Sequence, residues 1–448
     1  MQTKTTSILL FVITIDPADA KDHDDAIWLE KTARGWTLAV HIADVSHYIK
    51  PGSPMDQEAV ERGNSTYLVD RVLPMLPTEL SNGICSLKPD VDRLTKCAMM
   101  EISEDGELKR TKFFDAVIHS RAKLSYEQAQ AILDGKPAPE GSEKALVGMV
   151  KEGWALASAM RRRRFAQGAL DLEMPEIKIR LDEQGRAEVA DPVIHTESHQ
   201  LVEECMLAAN EAVAKILLLD DSKGSPEEHV IKLGLLKSLK RAAYAAEPVG
   251  HYGLAKTDYC HFTSPIRRYA DLIVHRALQP LLENPPKPCD ITASQADLRE
   301  ISRHISDTER TSSDAENETK QIKLLEYLDR VASAEKPPIF DGLITDVRPM
   351  GLMVEIPDMG VRGVVKREDL PEGRWRFESQ RMAWVSMDGN VIQLGMRIPL
   401  RVINIDFDKR FVDFAVAGKP TSEGTHITPK RPVVAKKQGK PHTKPAGK

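Results

Sequence analysis

The chain has 448 residues and a formal net charge of −5, with 41% hydrophobic and 29% charged residues. This composition is too apolar for a disordered chain and too charged for an integral membrane protein, and no apolar run reaches the roughly 20 residues that span a bilayer. At about 150 residues per domain, the length predicts two or three domains. Five widely spaced cysteines without a C-x-x-C pair indicate reduced thiols in a cytoplasmic protein.

The first 330 residues mix strand and helix patterns, so we expect an α+β body. The run from Ile8 to Ile15 indicates one buried strand, and apolar positions alternate on both sides of Arg34-Gly35 as in a hairpin. Ser198 is expected to cap a helix whose apolar residues recur every three to four positions. Residues 298–331 form a long, highly charged helical stretch.

A proline-containing break at residues 334–338 separates this body from a region of short strands. Gly and Pro punctuate five short apolar runs between residues 339 and 416, which predicts a small all-β barrel. Residues 419–448 hold eight Lys or Arg, one acid and five prolines, which predicts a disordered basic tail. Such a tail suits phosphate backbones, and a solubilising role explains it nearly as well. The predicted domains are therefore residues 1–334, 337–418 and 419–448.

Five aspartates crowd ten positions between the first apolar run and the hairpin, namely Asp16, Asp19, Asp22, Asp24 and Asp25. Such a density of like charge in a partly buried loop is unfavourable unless a cation neutralises it. Mg²⁺ is the expected cation, and four or five carboxylates could hold two ions, as in phosphoryl transfer. A solvated acidic turn is the alternative. A calcium loop is less consistent with the sequence, because no glycine follows Ala26 in the required register.

A second cluster of functional residues lies far downstream. Ser264 and Pro265 are typical of a helix start, which would place Arg267 and Arg268 in the first helical turn. Cations there oppose the helix dipole, and a docked phosphate would resolve the conflict. Asp271 and His275 follow on the next turns as candidates to orient the arginines. The alternative is that the arginines pair with carboxylates of the body, including the aspartate loop.

These two segments resemble the signatures of the RNase II/RNase R (RNB) family of 3′→5′ exoribonucleases. Residues 14–26 are similar to the family's metal-binding signature, and residues 251–276 to its H-x-G-L-A and H-F-T-S-P-I-R-R-Y signature. Shorter matches occur at residues 62–87, 168–171, 203–211 and 304–310. Residues 339–418 are similar to an S1 domain, an OB-type RNA-binding barrel. The resemblance therefore covers about residues 12–418.

The resemblance implies an RNB catalytic domain followed by an S1 domain, and Mg²⁺-dependent hydrolysis of single-stranded RNA from its 3′ end to nucleoside 5′-monophosphates. Two Mg²⁺ ions are expected with substrate bound. Asp16, Asp22 and Asp25 match the family's metal ligands, Asp24 its most critical catalytic aspartate, and Arg267 the arginine that supports the scissile phosphate. The expected RNA contacts are Tyr67 and Tyr126 on the terminal bases, Glu203 or Glu204 on the terminal ribose, and Arg268. Lys366 stands where the S1 signature usually has His, and we expect it to attract phosphate.

The chain also departs from the family pattern. It starts about ten residues before the acidic signature, which indicates either a short form without the N-terminal cold-shock barrels or a late start. The segment of residues 215–250 is shorter than the corresponding helical segment of the family. Leu172 stands where some members have a Phe that clamps a base. These departures favour the main alternative, a catalytically impaired RNA-binding module that retains both folds; a DNA or cyclic-nucleotide phosphodiesterase is a weaker one. We expect a cytoplasmic monomer that contacts no membrane and needs no protein partner.

Overall fold

The computed structural model describes residues 6–8, 10–139, 143–170, 176–218, 244, 251–283 and 295–417. The chain forms two compact units, Met1–Tyr327 and Leu328–Lys448, and each is described by itself. The boundary between the units falls a few residues before the proline-containing break. The predicted tail and Leu172 lie outside the described residues. No helix in the described ranges is long and apolar enough to cross a membrane.

The first unit is built on a seven-stranded mixed sheet. Its strands in chain order, with two short pairs, are β1 (Thr6–Ile8), β2 (Ile13–Asp16), β3 (Asp25–Thr32), β4 (Gly35–Ala43), β5 (Thr66–Tyr67), β6 (Val72–Leu73), β7 (Asp92–Ser103), β8 (Leu108–His119), β9 (Ala122–Ser125), β10 (Glu176–Leu181) and β11 (Ala187–Val193). The sheet order is β1-β8-β7-β4-β3-β2-β9, while β5 pairs with β6 and β10 with β11.

The predicted hairpin is confirmed, and the predicted single first strand is wrong. β3 and β4 pair antiparallel with Leu29 opposite Leu38, and Gly35 between them has φ +131°. A Cβ on Gly35 would lie 2.1 Å from the Ile102 carbonyl oxygen, so only glycine fits this turn. The apolar run from Ile8 to Ile15 divides into β1, which is parallel to β8, and β2, which is parallel to β9.

Helices pack on the sheet in two groups. The helices are α1 (Val45–Tyr48), α2 (Pro54–Arg62), α3 (Tyr126–Leu133), α4 (Lys144–Ala166), α5 (Glu197–Leu218), α6 (Tyr269–Leu282) and α7 (Gln295–Ala332). One core joins β2–β4 to α3, α4 and α5 through residues such as Val40, Leu156 and Leu201. A second core joins α1, α2, α6 and α7 through residues such as Val45 and Leu272. The long charged helix predicted from the sequence is therefore present as α7.

Two predicted helix starts are wrong. α5 begins at Glu197, and Ser198 lies inside its first turn, where its hydroxyl donates to the Tyr126 carbonyl oxygen at 2.9 Å. α6 begins at Tyr269 and not at Ser264, so Arg267 and Arg268 precede the helix. Arg268 is extended, with φ −135° and ψ 124°, and forms an isolated bridge with Asn64.

The second unit contains the small barrel expected from the short strands. Its strands are β12 (Phe340–Arg348), β13 (Gly351–Ile356), β14 (Val361–Lys366), β15 (Trp375–Glu378), β16 (Ala383–Ser386), β17 (Val391–Gln393), β18 (Arg397–Asp406) and β19 (Phe411–Val416). Five of them close in the order β12-β13-β14-β19-β18, and β15–β17 form a separate three-stranded sheet. Val354, Leu400 and Phe414 are buried in this unit.

Candidate active site

The aspartate loop joins β2 to β3 and is anchored in the protein. The His23 N–H donates to the Ser86 hydroxyl at 3.1 Å, and the Ser86 hydroxyl donates to the Lys21 carbonyl oxygen at 2.8 Å. The Ala43 N–H donates to the Asp24 carbonyl oxygen at 2.9 Å. Asp24 is only 5% exposed. The alternative of a solvated acidic turn is therefore wrong.

The arginine segment folds as a tight turn that meets this loop. The Ser264 carbonyl oxygen accepts from the Arg267 and Arg268 N–H groups at 3.3 and 3.0 Å. This turn directs the Ile266 N–H to Asp24 Oδ1 at 2.9 Å, and Arg267 Nε lies 3.6 Å from Asp24 Oδ2. The two segments that the sequence singled out thus lie side by side. The backbone N–H expected to bind a phosphate at a helix start binds an aspartate instead.

Burial shapes the electrostatics of the aspartates. It raises the pKa of Asp24 from 3.8 to about 7, against the lowering effect of Arg267 and with a smaller upward effect from Asp22. Burial also raises the pKa of Asp25 well above its usual range, and the neighbouring Asp16 and Asp24 raise it further. Arg267 alone therefore does not offset the cost of burying the charges of Asp24 and Asp25, and a further cation beside them would favour their charged forms.

The donor set fits a hard divalent cation. Carboxylate oxygens are the ligands that Mg²⁺ prefers, and those of Asp24 and Asp25 are buried with too little countercharge. Asp16 Oδ2 lies 2.8 Å from His23 Nδ1 without an aligned hydrogen bond. No three His, Cys, Asp or Glu side chains in the described ranges are already gathered as a metal-binding group. Mg²⁺ commonly takes one or two carboxylates and completes its shell with water and substrate phosphate, so the two observations are compatible.

Tyr67 contacts the aspartate loop directly. Its hydroxyl donates to Asp22 Oδ2 at 3.1 Å, and its backbone N–H donates to Glu316 Oε1 on α7 at 2.8 Å. Burial, and then the Asp22 charge, raise the pKa of Tyr67 above its usual range. Tyr67 therefore remains a hydrogen-bond donor at neutral pH.

Tyr126 begins α3 beside the same cluster. Burial, and then the charges of Asp25 and Asp16, raise the pKa of its hydroxyl above the usual range. Its ring stacks on His199 of α5 with centroids 3.9 Å apart and planes 14° from parallel. His199 Nδ1 is 2.9 Å from the Thr196 hydroxyl, which fixes the imidazole. One face of the Tyr126 ring is therefore already covered by protein.

Several of the predicted RNA contacts have protein partners. Glu204 is 3% exposed and accepts from Arg164 Nε at 3.1 Å, while the Glu203 side chain is 52% exposed and lies 3.4 Å from Arg164 Nη2. Arg268 Nη2 donates to the buried Asp271 Oδ1 at 2.9 Å. Asp271 thus orients Arg268. His275 contacts the Phe262 carbonyl oxygen at 2.8 Å instead of an arginine.

Lys366 ends β14 in the second unit. Its side chain is 47% exposed, and its Nζ lies 2.9 Å from Asp413 Oδ2. This ion pair raises the pKa of Lys366, so the group carries its charge at neutral pH. Part of that charge is already balanced by the neighbouring carboxylate.

Sequence reasoning missed four residues that organise the site, namely Ser86, Arg164, His199 and Glu316. Ser86 lies within the short family match at residues 62–87. Arg164 belongs to the basic run of residues 161–164, a pattern that by itself predicts either an RNA-facing patch or a solvated helix face. Arg164 is 6% exposed, so neither interpretation holds for it. No pattern in the sequence singles out His199 or Glu316, because their partners are distant along the chain.

Comparison with known proteins identifies the first unit. The RNB domain family model matches residues 6–226 and 218–284. The chain is 36% identical to Ribonuclease R of Thermotoga maritima over 90% of this chain and 64% of that protein. It is 33% identical to Ribonuclease R of Vibrio parahaemolyticus over 90% of this chain and 55% of that protein. The chain thus spans 55–64% of the length of these relatives.

A solved structure gives the same result. Mycoplasma genitalium RNase R in complex with ribose methylated single-stranded RNA matches with a TM-score of 0.78 and 26% identity. The match covers 93% of this chain and 72% of that chain. Because the match covers 93% of this chain, it includes residues of both units.

Proposed function

The chain belongs to the RNB domain family, and from that premise we propose that it is a Mg²⁺-dependent exoribonuclease. It removes nucleotides from the 3′ end of single-stranded RNA and releases nucleoside 5′-monophosphates in RNA turnover. One observation carries the proposal: Asp24 accepts from the Ile266 N–H at 2.9 Å and lies 3.6 Å from Arg267 Nε. This contact joins a cation-binding loop to a phosphate-binding arginine.

Separate residues of the chain bind the cation, orient the water and contact the phosphate. Asp16, Asp22 and Asp25 would hold the cation, which when bound activates a water and stabilises the leaving oxygen. Asp24, fixed by the turn, orients the attacking water beside them. The Arg267 side chain is 44% exposed, so its outer edge is open to the scissile phosphate.

Aromatic residues bind the terminal nucleotides. Stacking is tolerant of base identity and contributes about 1–3 kcal/mol per base, which suits an enzyme that accepts every base. Tyr126 offers a base only the ring face opposite His199. Of the paired glutamates, Glu203 has the exposure needed to contact a ribose 2′-hydroxyl, a contact that distinguishes RNA from DNA.

The second unit is an S1 RNA-binding domain in this proposal. Its closed five-stranded barrel is the architecture expected of an OB-type fold. Lys366 on this barrel attracts phosphate, and the basic residues 419–448, outside the described ranges, add non-specific contacts through their charge. The protein acts as a cytoplasmic monomer on RNA without an obligate partner.

The test uses the full chain and 5′-labelled single-stranded RNA, with Mg²⁺ or with EDTA. We expect a ladder that shortens from the 3′ end and 5′-monophosphate products, both abolished by EDTA. Asp24→Asn and Arg267→Ala should each lower kcat by about 10²-fold or more. Asp19→Asn is the matched control, because Asp19 is an exposed aspartate of the same loop.

A second candidate function is an RNA-binding module without turnover. It is favoured by two departures of the sequence from the family pattern, namely the short segment 215–250 and the leucine at position 172. The same experiment separates the two. RNA binding without release of monophosphate at any Mg²⁺ concentration would refute the nuclease and support the module.

A further inference from the structure

One face of α7 contacts residues 60–67 at every fourth position. Residues four apart in a helix lie on the same face, so they form one column. The column consists of His304, whose Nε2 is 3.0 Å from the Val60 carbonyl oxygen, Thr308 beside Gly63, Ser312, whose hydroxyl donates to the Thr66 hydroxyl at 2.7 Å, and Glu316, which accepts from the Tyr67 N–H at 2.8 Å. We call these four residues the α7 column.

The packing in the middle of the column is close. Gly63 has φ +70°, and a Cβ there would lie 2.0 Å from Thr308 Oγ1. Because a side chain at this position would overlap Thr308, the backbone of Gly63 packs directly against α7.

The same segment contacts both halves of the site. The Ser65 N–H donates to the Arg267 carbonyl oxygen at 3.0 Å, and the Tyr269 N–H donates to the Gly63 carbonyl oxygen at 2.9 Å. At the end of the segment, the Tyr67 hydroxyl donates to Asp22 Oδ2 at 3.1 Å. Residues 60–67 thus link α7 to the arginine turn and to the aspartate loop.

We propose that Glu316 is a positioning residue that acts through Tyr67 to orient Asp22 for the divalent cation. Its carboxylate fixes the Tyr67 backbone through a charge-assisted hydrogen bond. With its backbone fixed, Tyr67 directs its hydroxyl to one oxygen of Asp22. Outer hydrogen bonds of this kind set the orientation of a carboxylate ligand. The inference rests on the proposed function, because that function makes Asp22 a cation ligand.

The experiment measures Mn²⁺ binding to the full chain without RNA by electron paramagnetic resonance, and then the Mg²⁺ dependence of RNA hydrolysis. Glu316→Ala and Tyr67→Phe should each weaken Mn²⁺ binding about tenfold. Glu316→Gln should stay within about twofold of wild type, because an amide oxygen still accepts from the Tyr67 N–H. The control is Glu318→Ala, an exposed glutamate two residues further along α7, which should leave binding unchanged.

The double variant Glu316→Ala/Tyr67→Phe decides whether the residues act through one path. Its Mn²⁺ affinity should be no lower than that of the single variant with the lower affinity, because both substitutions break the same connection. Fully additive losses, unchanged binding in Glu316→Ala, or no Mn²⁺ binding by the wild type would overturn the proposal. If Glu316→Ala does not fold, Tyr67→Phe, which removes only a hydroxyl, carries the test.

The outcomes separate this inference from the proposed function. A wild-type chain that cleaves no RNA, but whose Mn²⁺ binding weakens in Glu316→Ala, refutes the nuclease and retains the positioning role. A chain that cleaves RNA with the same Mg²⁺ dependence in every variant retains the nuclease and refutes the positioning role.

Discussion

Asp24 should make the metal-free protein less stable than it would be with a neutral side chain. Burial raises its pKa from 3.8 to about 7. Each pKa unit corresponds to about 1.4 kcal/mol, so an ionised Asp24 costs the folded state about 4 kcal/mol above pH 7. An asparagine has the shape of the protonated aspartate and avoids this cost. Asp24→Asn should therefore stabilise the protein in EDTA by about 2–4 kcal/mol at pH 8 while it abolishes hydrolysis.

The pH dependence gives the sign of the effect. The unfolded aspartate loses its proton near pH 4 and the folded one near pH 7, so the folded state binds more protons between these values. The contribution of Asp24 to the stability of the metal-free wild type consequently falls as the pH rises through this range and is constant above it. The advantage of Asp24→Asn should be about 2–3 kcal/mol larger at pH 8 than at pH 5.

The assay is urea unfolding in EDTA at both pH values. Pulsed hydrogen exchange on peptides from β3 and β4 restricts the measurement to the first unit. Asp19→Asn serves as the control and should stay within about 0.5 kcal/mol of wild type. Adding Mg²⁺ should stabilise the wild type more than Asp24→Asn, because the variant lacks a negative charge beside Asp22 and Asp25 and should bind the cation more weakly. An equal advantage at pH 5 and pH 8, or a variant less stable than wild type at pH 8, would refute the reasoning.

Three further predictions test separate features of the structure. Gly63→Ala should lower the free energy of unfolding by about 2–4 kcal/mol, because the new Cβ overlaps α7. Gly52→Ala is the control at φ +73° in open space and should cost about 1 kcal/mol. Thermal melting compares the two variants. Arg164→Met leaves Glu204 buried and unpaired and should cost about 3–5 kcal/mol in urea unfolding, and adding Glu204→Gln should restore part of the loss. Lys366→Ala should weaken RNA binding equally for all sequences and lower its log–log salt slope by up to about 1, measured by fluorescence anisotropy.

Each of these has a contradicting result. Equal melting temperatures for the two glycine variants would show that α7 yields at Gly63. An Arg164→Met variant as stable as wild type would show that Glu204 is not held in place by its partner. A loss of binding confined to particular RNA sequences would show that Lys366 contacts bases and not phosphate.

The sequence predicted the features that depend on local periodicity. Alternation predicted the hairpin, the recurring apolar positions predicted α5, and the long, highly charged helical stretch predicted α7. It failed where another group binds the side chain expected to cap a helix. The Ser264 hydroxyl has the chemistry of an N-cap, but it accepts from Arg267 Nη2 at 3.0 Å, and the Ser264 carbonyl oxygen closes the turn before α6. Ser198 likewise donates to the Tyr126 carbonyl oxygen in place of its own helix.

The sequence by itself determined the inventory of the site: the crowded aspartates, the paired arginines and the family to which their spacing belongs. Only the tertiary structure decided which of these groups lie side by side and which are ion-paired or hydrogen-bonded to other residues of the protein. Asp24 and Ile266, whose N–H it accepts, are 242 residues apart. Arg164 on α4 donates to Glu204 on α5. Spacing along a chain encodes the period of local structure, whereas burial and the choice of partner depend on contacts between remote segments, which no local pattern contains.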